Sequence, residues 1–187
     1  MTLFEFVTVM ISMILAISLG HLLDGLSWLF KSRHRVRGHL PHSLWVGGLL
    51  LTLVNHWWAV WDLSSLNWNY ASFLYVLIAP IFLGLAVGVI APDRPDAGQI
   101  DLVEQFARAR KPFALAMFAY LLAMWFDGPL FAGQPVFGLV GLLHIPGIVA
   151  AVIAFWSKGH ITNVVAGGVS VLVVLAIIGV RLSAAVS

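Results

Sequence analysis

The chain has 187 residues, of which 61% are hydrophobic and only 10% are charged, whereas a soluble globular domain carries about 25% charged residues. So many apolar residues could not be sealed inside one soluble core, because a chain of this size still exposes a large surface. The formal net charge is +2 and cysteine is absent, which excludes disulfides, iron–sulfur clusters and cysteine nucleophiles. The composition therefore indicates a membrane protein.

Six segments are predicted to cross the membrane, since each offers the roughly 20 mostly apolar residues that a spanning helix needs. They cover about residues 3–30, 44–62, 70–90, 113–131, 136–156 and 161–181. Lipid requires every backbone polar group to be paired internally, and the alternating pattern of a membrane barrel is absent. Residues 1–187 are therefore predicted to form a single all-α transmembrane helical bundle.

Lysine and arginine concentrate in the first, third and fifth loops between these segments. The basic residues of those loops are Lys31, Arg33, Arg35, Arg37, Arg94, Arg108, Arg110, Lys111 and Lys158. Only Arg181 falls at the other side. By the positive-inside rule, the three basic loops are cytoplasmic and both termini are periplasmic or extracellular.

The third loop contains a short amphipathic pattern. Ile100, Val103 and Phe106 recur at helical spacing, while charged residues such as Asp101 and Glu104 face elsewhere. This pattern predicts a short amphipathic helix on the cytoplasmic membrane surface between spans three and four. The alternative is a helical lead-in to the fourth span.

The second span contains the polar stretch "LVNHWWAVWDLSS". At about 100° per residue, Thr52, Asn55, Ala59 and Asp62 fall on one face, and His56 lies beside it. Lipid cannot satisfy Asn or His, so this face is expected to look into the bundle or a subunit interface. These side chains either hold helices together or line a path through the membrane.

Other ionisable residues extend the same hypothesis. Glu5 and Asp127 lie near the outer interface, as Asp62 does, where carboxylates would attract cations or simply be solvated span ends. His21 and Asp24 are spaced i, i+3 toward the inner side, so they can hydrogen-bond along the helix. That pair would either relay protons or form an ordinary intrahelical contact.

Two histidines also raise the question of a cofactor. His56 and His144 are expected at similar depth on spans two and five, as two axial ligands of a b-type haem would be. Gly138, Gly141 and Gly147 would leave room for the macrocycle. The alternative is that both are hydrogen-bonded core residues without a cofactor.

Motifs of soluble catalysis are absent from the sequence. We find no P-loop, dinucleotide fingerprint, nucleophile elbow or kinase motif. His34, His39 and His42 accompany the first basic loop, which already has a role in setting topology, and no metal-ligand spacing such as HExxH occurs. Neither catalytic residues, a metal site nor nucleic-acid binding is predicted.

Small residues suggest close helix packing. Gly84 and Gly88 form a GxxxG motif in span three, which allows two helix backbones to approach closely. The motif predicts a homo-oligomer, or alternatively packing inside one subunit.

Three stretches carry a resemblance to known proteins. "LFEFVTVMISMILAISLGHLL", "NHWWAVWDL" and "DLVEQFARARKPF" resemble a group of small uncharacterised bacterial inner-membrane proteins. The resemblance implies a multi-pass protein of the bacterial inner membrane. It supplies no catalytic or ligand-binding residues.

The favoured prediction is a small membrane transport or ion-conducting protein with a polar path. The predicted path consists of Asn55, His56, Asp62, His21, Asp24, Glu5 and Asp127. The alternatives are a redox subunit that binds haem or quinone, and a non-catalytic partner subunit of a larger membrane complex. Besides lipid, the expected partners are further copies of the chain or that complex.

Overall fold

A computed structural model of the protein describes residues 2–64, 68–92, 99–131, 133 and 135–186. It contains six α-helices, each long and apolar enough to cross a membrane, at the places where the sequence predicts them. The helices are α1 (Leu3–Lys31), α2 (Leu40–Ala59), α3 (Tyr70–Ile90), α4 (Leu102–Phe131), α5 (Leu139–Trp156) and α6 (His160–Val186). The all-α class and the six spans are confirmed.

Helix boundaries depart from the prediction where local chemistry decides them. α2 begins at Leu40 rather than near residue 44, because Pro41 lies in the first turn, where its missing N–H costs no helical hydrogen bond. α5 begins at Leu139 rather than near residue 136, because the N–H of Gly138 donates to the carbonyl of Pro135 in a turn. A 3-10 turn, Val60–Leu63, prolongs α2.

The amphipathic segment of the third loop differs from the predicted separate surface helix. Within the described residues, Ile100–Asp101 is a short strand, β2, and α4 then runs without a break from Leu102. Phe106 and the polar Gln105 are buried against the protein rather than turned to a membrane surface. Because this face packs on the bundle, the segment is the first part of α4, as the alternative interpretation proposed.

Strand β2 also joins two of the basic loops. It pairs in parallel with β1 (Val36–Arg37), with Val36 opposite Ile100. Arg37 Nη1 donates to Asp101 Oδ2 at 3.0 Å across this pair. The first and third loops thus meet at one end of the bundle, which we call the His39 end; the opposite end, where α2 finishes, is the Asp62 end.

Helices α2 to α6 form a ring, and α1 covers part of its outer surface. Around the ring, α3 packs on α4, α4 on α5, α5 on α6 and α6 on α2, while α2 and α3 close it. α1 packs outside, against α3 and α2. Its side chains are therefore separated from the space that the ring encloses.

The GxxxG motif serves a contact inside the subunit. A Cβ atom at Gly84 would lie 2.9 Å from Ser18 Oγ on α1, so the glycine permits the close approach of α1 and α3. At Gly88 a Cβ would meet open space. The predicted homo-oligomer therefore draws no support from this motif and stays a prediction.

Candidate functional site

A cavity of about 880 Å³ lies among α2, α3, α4, α5 and α6. Its wall mixes apolar side chains with polar ones from all five helices. The polar lining is Thr52, Asn55, Asp62, Asn69, Ser72, Tyr120, Asp127, His144, Ser170 and Arg181. From Thr52 to Asp62 the lining follows α2 for roughly 15 Å at 1.5 Å per residue, about half of a bilayer's apolar thickness of about 30 Å.

Charged side chains gather where this cavity meets the Asp62 end. Arg181 Nη1 lies 3.0 Å from Asp62 Oδ2, and the side chains are 24% and 62% exposed, respectively. Asp127 is near enough to interact electrostatically with both. Two carboxylates thus face one guanidinium, and a formal negative charge remains at the mouth of the cavity.

The predicted polar face of α2 divides between two cavities. Asn55 and Asp62 line the large cavity, as does Thr52, whose hydroxyl donates to the carbonyl of Gly48 at 2.7 Å. Ala59 and His56 instead line a second, much smaller space.

The small cavity, of about 20 Å³, lies among α2, α3 and α4. Its polar wall consists of His56, Tyr75 and Asp127, and Asp127 also lines the large cavity. His56 is only 5% exposed, and its Nδ1 has no hydrogen-bond partner among the described residues. Its ring meets that of Tyr120 edge-on, with centroids 5.7 Å apart.

His144 has a different environment from His56. It lines the large cavity, and its Nδ1 donates to the carbonyl of Val140 one turn earlier at 2.8 Å. Each of the two histidines lines its own cavity, so the pair does not frame one common space for a haem. The haem prediction remains open to an absorption spectrum, in which a Soret band that shifts on reduction would support it.

Three predicted path residues belong to α1, outside the ring. Glu5 forms a capping box at the start of α1, where its Oε2 accepts the N–H of Thr2 at 2.8 Å. His21 and Asp24 are exposed on the same helix. The structure thus brings Asn55, Asp62 and Asp127 to one cavity, sets His56 beside it, and leaves these three residues on the covering helix.

The sequence interpretation missed several residues of the site. Arg181 stood out as the lone basic residue at its side of the bundle, which was the available signal that it needs a carboxylate partner. Ser170 is a polar residue in the middle of an otherwise apolar span, a second usable signal. Nothing in the sequence pointed to Tyr120 or Tyr75.

The His39 half of the ring is packed shut. Trp45 and Phe113, both fully buried, meet edge-to-face between α2 and α4 with ring centroids 5.1 Å apart. Gly167 of α6 sits against Trp45 and Leu44, since a Cβ there would lie 3.0 Å from the Cβ of Leu44. The large cavity therefore has a floor near the middle of the bundle.

Buried polar side chains join the helix ends below this floor. Arg110 of α4 donates to the carbonyls of Ala154 and Phe155 at the end of α5. Two further side chains meet the last carbonyls of α3 in the same way. These contacts are His42 Nε2 to Ile90 O at 3.0 Å and Gln105 Nε2 to Ala91 O at 2.7 Å. Carbonyls that a helix end leaves unpaired are thus satisfied inside the protein.

At the His39 end, neighbouring groups shift the pKa values of His39 and Asp101. The ring of His39 meets that of His160 edge-on, with centroids 5.3 Å apart, and lies tilted against that of Phe106 at 5.1 Å. Burial, and then the nearby His160, lower the pKa of His39, while Asp101 partly opposes them. Desolvation works to raise the pKa of Asp101, but the N–H groups of Glu104 and Val103 and the Arg37 guanidinium outweigh it and lower that pKa.

No protein-family model, curated protein or solved structure matches this chain. Its class is therefore defined by its own fold: an all-α multi-pass membrane protein with six helices that are long and apolar enough to span a bilayer. More particularly, it is a bundle in which five helices surround a one-ended cavity and the first helix lies outside. Within the described residues, no group of three or more His, Asp and Glu side chains is placed to hold a metal ion.

Proposed function

We propose that the protein is a transport protein of the bacterial inner membrane that carries a small cation through the large cavity. The observation that carries the proposal is the cavity itself, of about 880 Å³, with polar residues from five helices and the buried contact of Trp45 with Phe113 beyond its inner end. A wall that mixes polar and apolar side chains suits a small solute that must bind and leave again.

The charge at the mouth supports a cationic solute. Asp62 and Asp127 outnumber Arg181, and Arg181 is already paired with Asp62 at 3.0 Å. Asp127 is then the carboxylate that an entering cation meets next. Ionisable residues at membrane depth are costly and commonly mark a solute path.

The distribution of basic residues supports an orientation. Of the nine lysines and arginines that the structure describes, eight lie toward the His39 end, which the positive-inside rule makes cytoplasmic. The large cavity would then open toward the periplasm. A cation would enter past Asp62 and bind near Asn55 and His144.

The packed floor favours a gated carrier over a permanently open pore. Release at the cytoplasmic side requires the contact of Trp45 with Phe113 to separate, together with the hydrogen bonds of Arg110 to the end of α5. Carriers that expose one cavity alternately to the two sides work in this way. The floor seen here is then the inner gate of an outward-open state.

The test is uptake of Na⁺ and K⁺ by liposomes that contain the purified full chain. Val173→Trp fills the cavity from α6, because Val173 is buried and lines it. Leu172→Trp is the matched control, since this neighbour is 66% exposed on the outer face of the same helix. We expect the first substitution to abolish uptake and the second to preserve it; equal uptake by both variants would contradict the proposal.

Asp62 offers a second test of the same path. Asp62→Ala removes a carboxylate from the mouth, so we expect lower cation uptake with normal assembly. Glu5→Ala, at the same end of the bundle but on α1, should leave uptake near that of the unmodified protein. If Asp62→Ala leaves uptake unchanged, Asp62 is not part of the path.

A partner subunit of a larger membrane complex is the second candidate, and a tryptophan cluster favours it. Trp57, Trp58 and Trp61 are all exposed and line a largely apolar groove of about 610 Å³ between α1 and α2. Tryptophan is enriched where proteins bind one another. Mild solubilisation from the native membrane should then recover a stoichiometric partner, which Trp58→Ala and Trp61→Ala together release.

A further inference from the structure

We propose that the small cavity holds one water molecule that bridges His56 Nδ1 and the Asp127 carboxylate, and that this bridge passes protons between the large cavity and His56. The inference rests on the proposed function and deepens it, because it makes cation transport proton-coupled. It assigns a role to the one predicted path residue of α2 that the large cavity does not use.

The first argument is the unsatisfied ring nitrogen. His56 is 5% exposed, and its Nδ1 has no partner among the described residues. A buried polar atom without a hydrogen bond costs free energy, so such atoms usually contact an ordered water. The small cavity supplies the space beside this ring.

The second argument is the size of that space. The cavity measures about 20 Å³, which is enough for a water molecule, since one water needs roughly 10–15 Å³. It is far smaller than the neighbouring cavity of about 880 Å³. A larger ligand is therefore confined to the neighbouring large cavity.

The third argument is the set of partners, since a buried water typically makes about three hydrogen bonds. Besides His56 Nδ1, the polar wall contains Asp127 and Tyr75. The Tyr75 hydroxyl donates its own hydrogen to the carbonyl of Ala123 at 2.7 Å, which leaves its oxygen free to accept. A water can thus reach His56, Asp127 and Tyr75 together.

The proton step follows from this arrangement. Asp127 lines both cavities, so it can take a proton from solvent in the large one. The protonated carboxyl then gives its proton to the water while the water gives one of its own to His56 Nδ1. The products are the Asp127 carboxylate, a neutral water and the His56 imidazolium. The reverse step returns the proton to the large cavity, which releases it at the cytoplasmic side once the contact of Trp45 with Phe113 separates.

The groups that face His56 define how this charge is held. Tyr75 of α3 and Tyr120 of α4 are neutral neighbours. Arg181 of α6 repels a protonated His56, Asp62 pairs with Arg181, and Asp127 lines the same small cavity as His56. A cation that enters and displaces Arg181 from Asp62 would therefore push the proton off His56, which couples the two flows.

The first arm of the test detects the water directly. Full-length protein with ¹⁵N-labelled histidine in liposomes is studied by solid-state NMR, and the His56 signals among the seven histidines are assigned by their loss in His56→Gln. We expect a cross-peak between Nδ1 of His56 and water protons, with a Nδ1 shift that changes in Asp127→Asn. Absence of the cross-peak overturns the proposal.

The second arm uses a variant that leaves all three polar partners in place. Ala79 is buried in the wall of the small cavity, so Ala79→Val fills the water site, whereas Ala71→Val adds the same methyls at an exposed site on the same helix. With a pH-sensitive dye inside the vesicles, we expect Ala79→Val to reduce proton movement by about tenfold or more. Ala71→Val should not change it.

The outcomes separate this inference from the proposed function. Cation uptake that Val173→Trp abolishes, without accompanying proton movement, overturns the relay and leaves cation transport standing. Proton movement that Ala79→Val removes, without cation uptake, supports the relay and overturns cation transport. If Ala79→Val loses the water cross-peak but moves protons normally, the water is structural and the relay is wrong.

Discussion

The polar side chains at the two ends of the helix ring have opposite environments. At the His39 end, the side chains of Arg110, His42 and Gln105 are buried. They donate hydrogen bonds to the last carbonyls of α3 and α5. At the Asp62 end, Asn55 and Asp127 line a cavity instead. Burial with a partner stabilises a helix junction, while a polar side chain left facing a cavity is available to a ligand.

The His39 half of the bundle is tightly packed, whereas the Asp62 half contains space that no side chain fills. In the His39 half, a methyl group at Gly167 would lie 3.0 Å from Leu44 Cβ. In the Asp62 half, about 880 Å³ is not filled by protein. Substitutions confined to one half of the bundle should therefore differ in their effect on stability.

The largest effect is expected at Arg110. Arg110→Met removes the donors that satisfy the carbonyls of Ala154 and Phe155, and we expect a loss of about 2–3 kcal/mol in the free energy of unfolding. Titration with a denaturing detergent, followed by circular dichroism, measures it. Lys158→Met, at an exposed position just after α5, should change stability by less than about 0.5 kcal/mol. Equal losses would show that the buried contacts of Arg110 contribute nothing special.

A neighbouring pair of glycines gives the next effect. Gly167→Ala places a methyl against Leu44 and Trp45, and we expect a net loss of about 1–2 kcal/mol, since overpacking outweighs the gain in helix propensity. At Gly168 a Cβ meets nothing within 4 Å, so Gly168→Ala should be neutral or stabilising by up to about 1 kcal/mol. The same unfolding titration compares the two variants. If Gly168→Ala destabilises the protein as much as Gly167→Ala does, the loss does not come from the contact with Leu44 and Trp45.

The ion pairs of the two ends should differ in a smaller way. Arg181 Nη1 and Asp62 Oδ2 lie 3.0 Å apart, and the Asp62 side chain is 62% exposed, so Asp62→Ala should lower the free energy of unfolding by less than about 1 kcal/mol. Asp101 pairs with Arg37 at the same distance and also accepts the N–H of Val103 at the start of α4. Because alanine removes both acceptor oxygens, Asp101→Ala is expected to destabilise more than Asp62→Ala does in thermal melts. The reverse order would mean that the mouth pair is structural.

The smallest effect is a pH dependence of the His39 end. Burial and His160 lower the pKa of His39 below its ordinary value of 6.5, so the unfolded chain binds a proton more readily than the folded one. Stability from this source is present above about pH 6.5 and falls as the pH drops below it. Melting temperatures measured between about pH 8 and pH 5 should decline less in His160→Gln, which removes the repelling neighbour. An unaltered decline in that variant would leave burial as the sole cause.

Part of the site was readable from the sequence. The polar face of span two placed Thr52, Asn55 and Asp62 together because helical periodicity is a local property. The same periodicity located Gly84 as a close contact without saying which helix would fill it. It turned out to be α1, through Ser18.

The rest of the site depends on which helix faces meet. The sequence grouped Glu5, His21 and Asp24 with the path, but α1 packs outside the ring. It left Arg181 unassigned, although its guanidinium reaches Asp62 from the far end of α6. Neither result follows from the pattern of one helix alone.

Hydropathy along the chain was enough to predict the number of spans, their approximate bounds and the all-α class, because hydrophobic length and the need to pair backbone groups in lipid are local requirements. The order of the helices around the ring, the two cavities and the placement of His56 and His144 in different cavities emerge from the packing of the helices. Hydropathy could not predict them because the helices are apolar on both buried and exposed faces, as the exposed Ile17, Val54 and Leu172 illustrate. Lipid and protein neighbours then look alike to hydropathy, and close packing chooses between them.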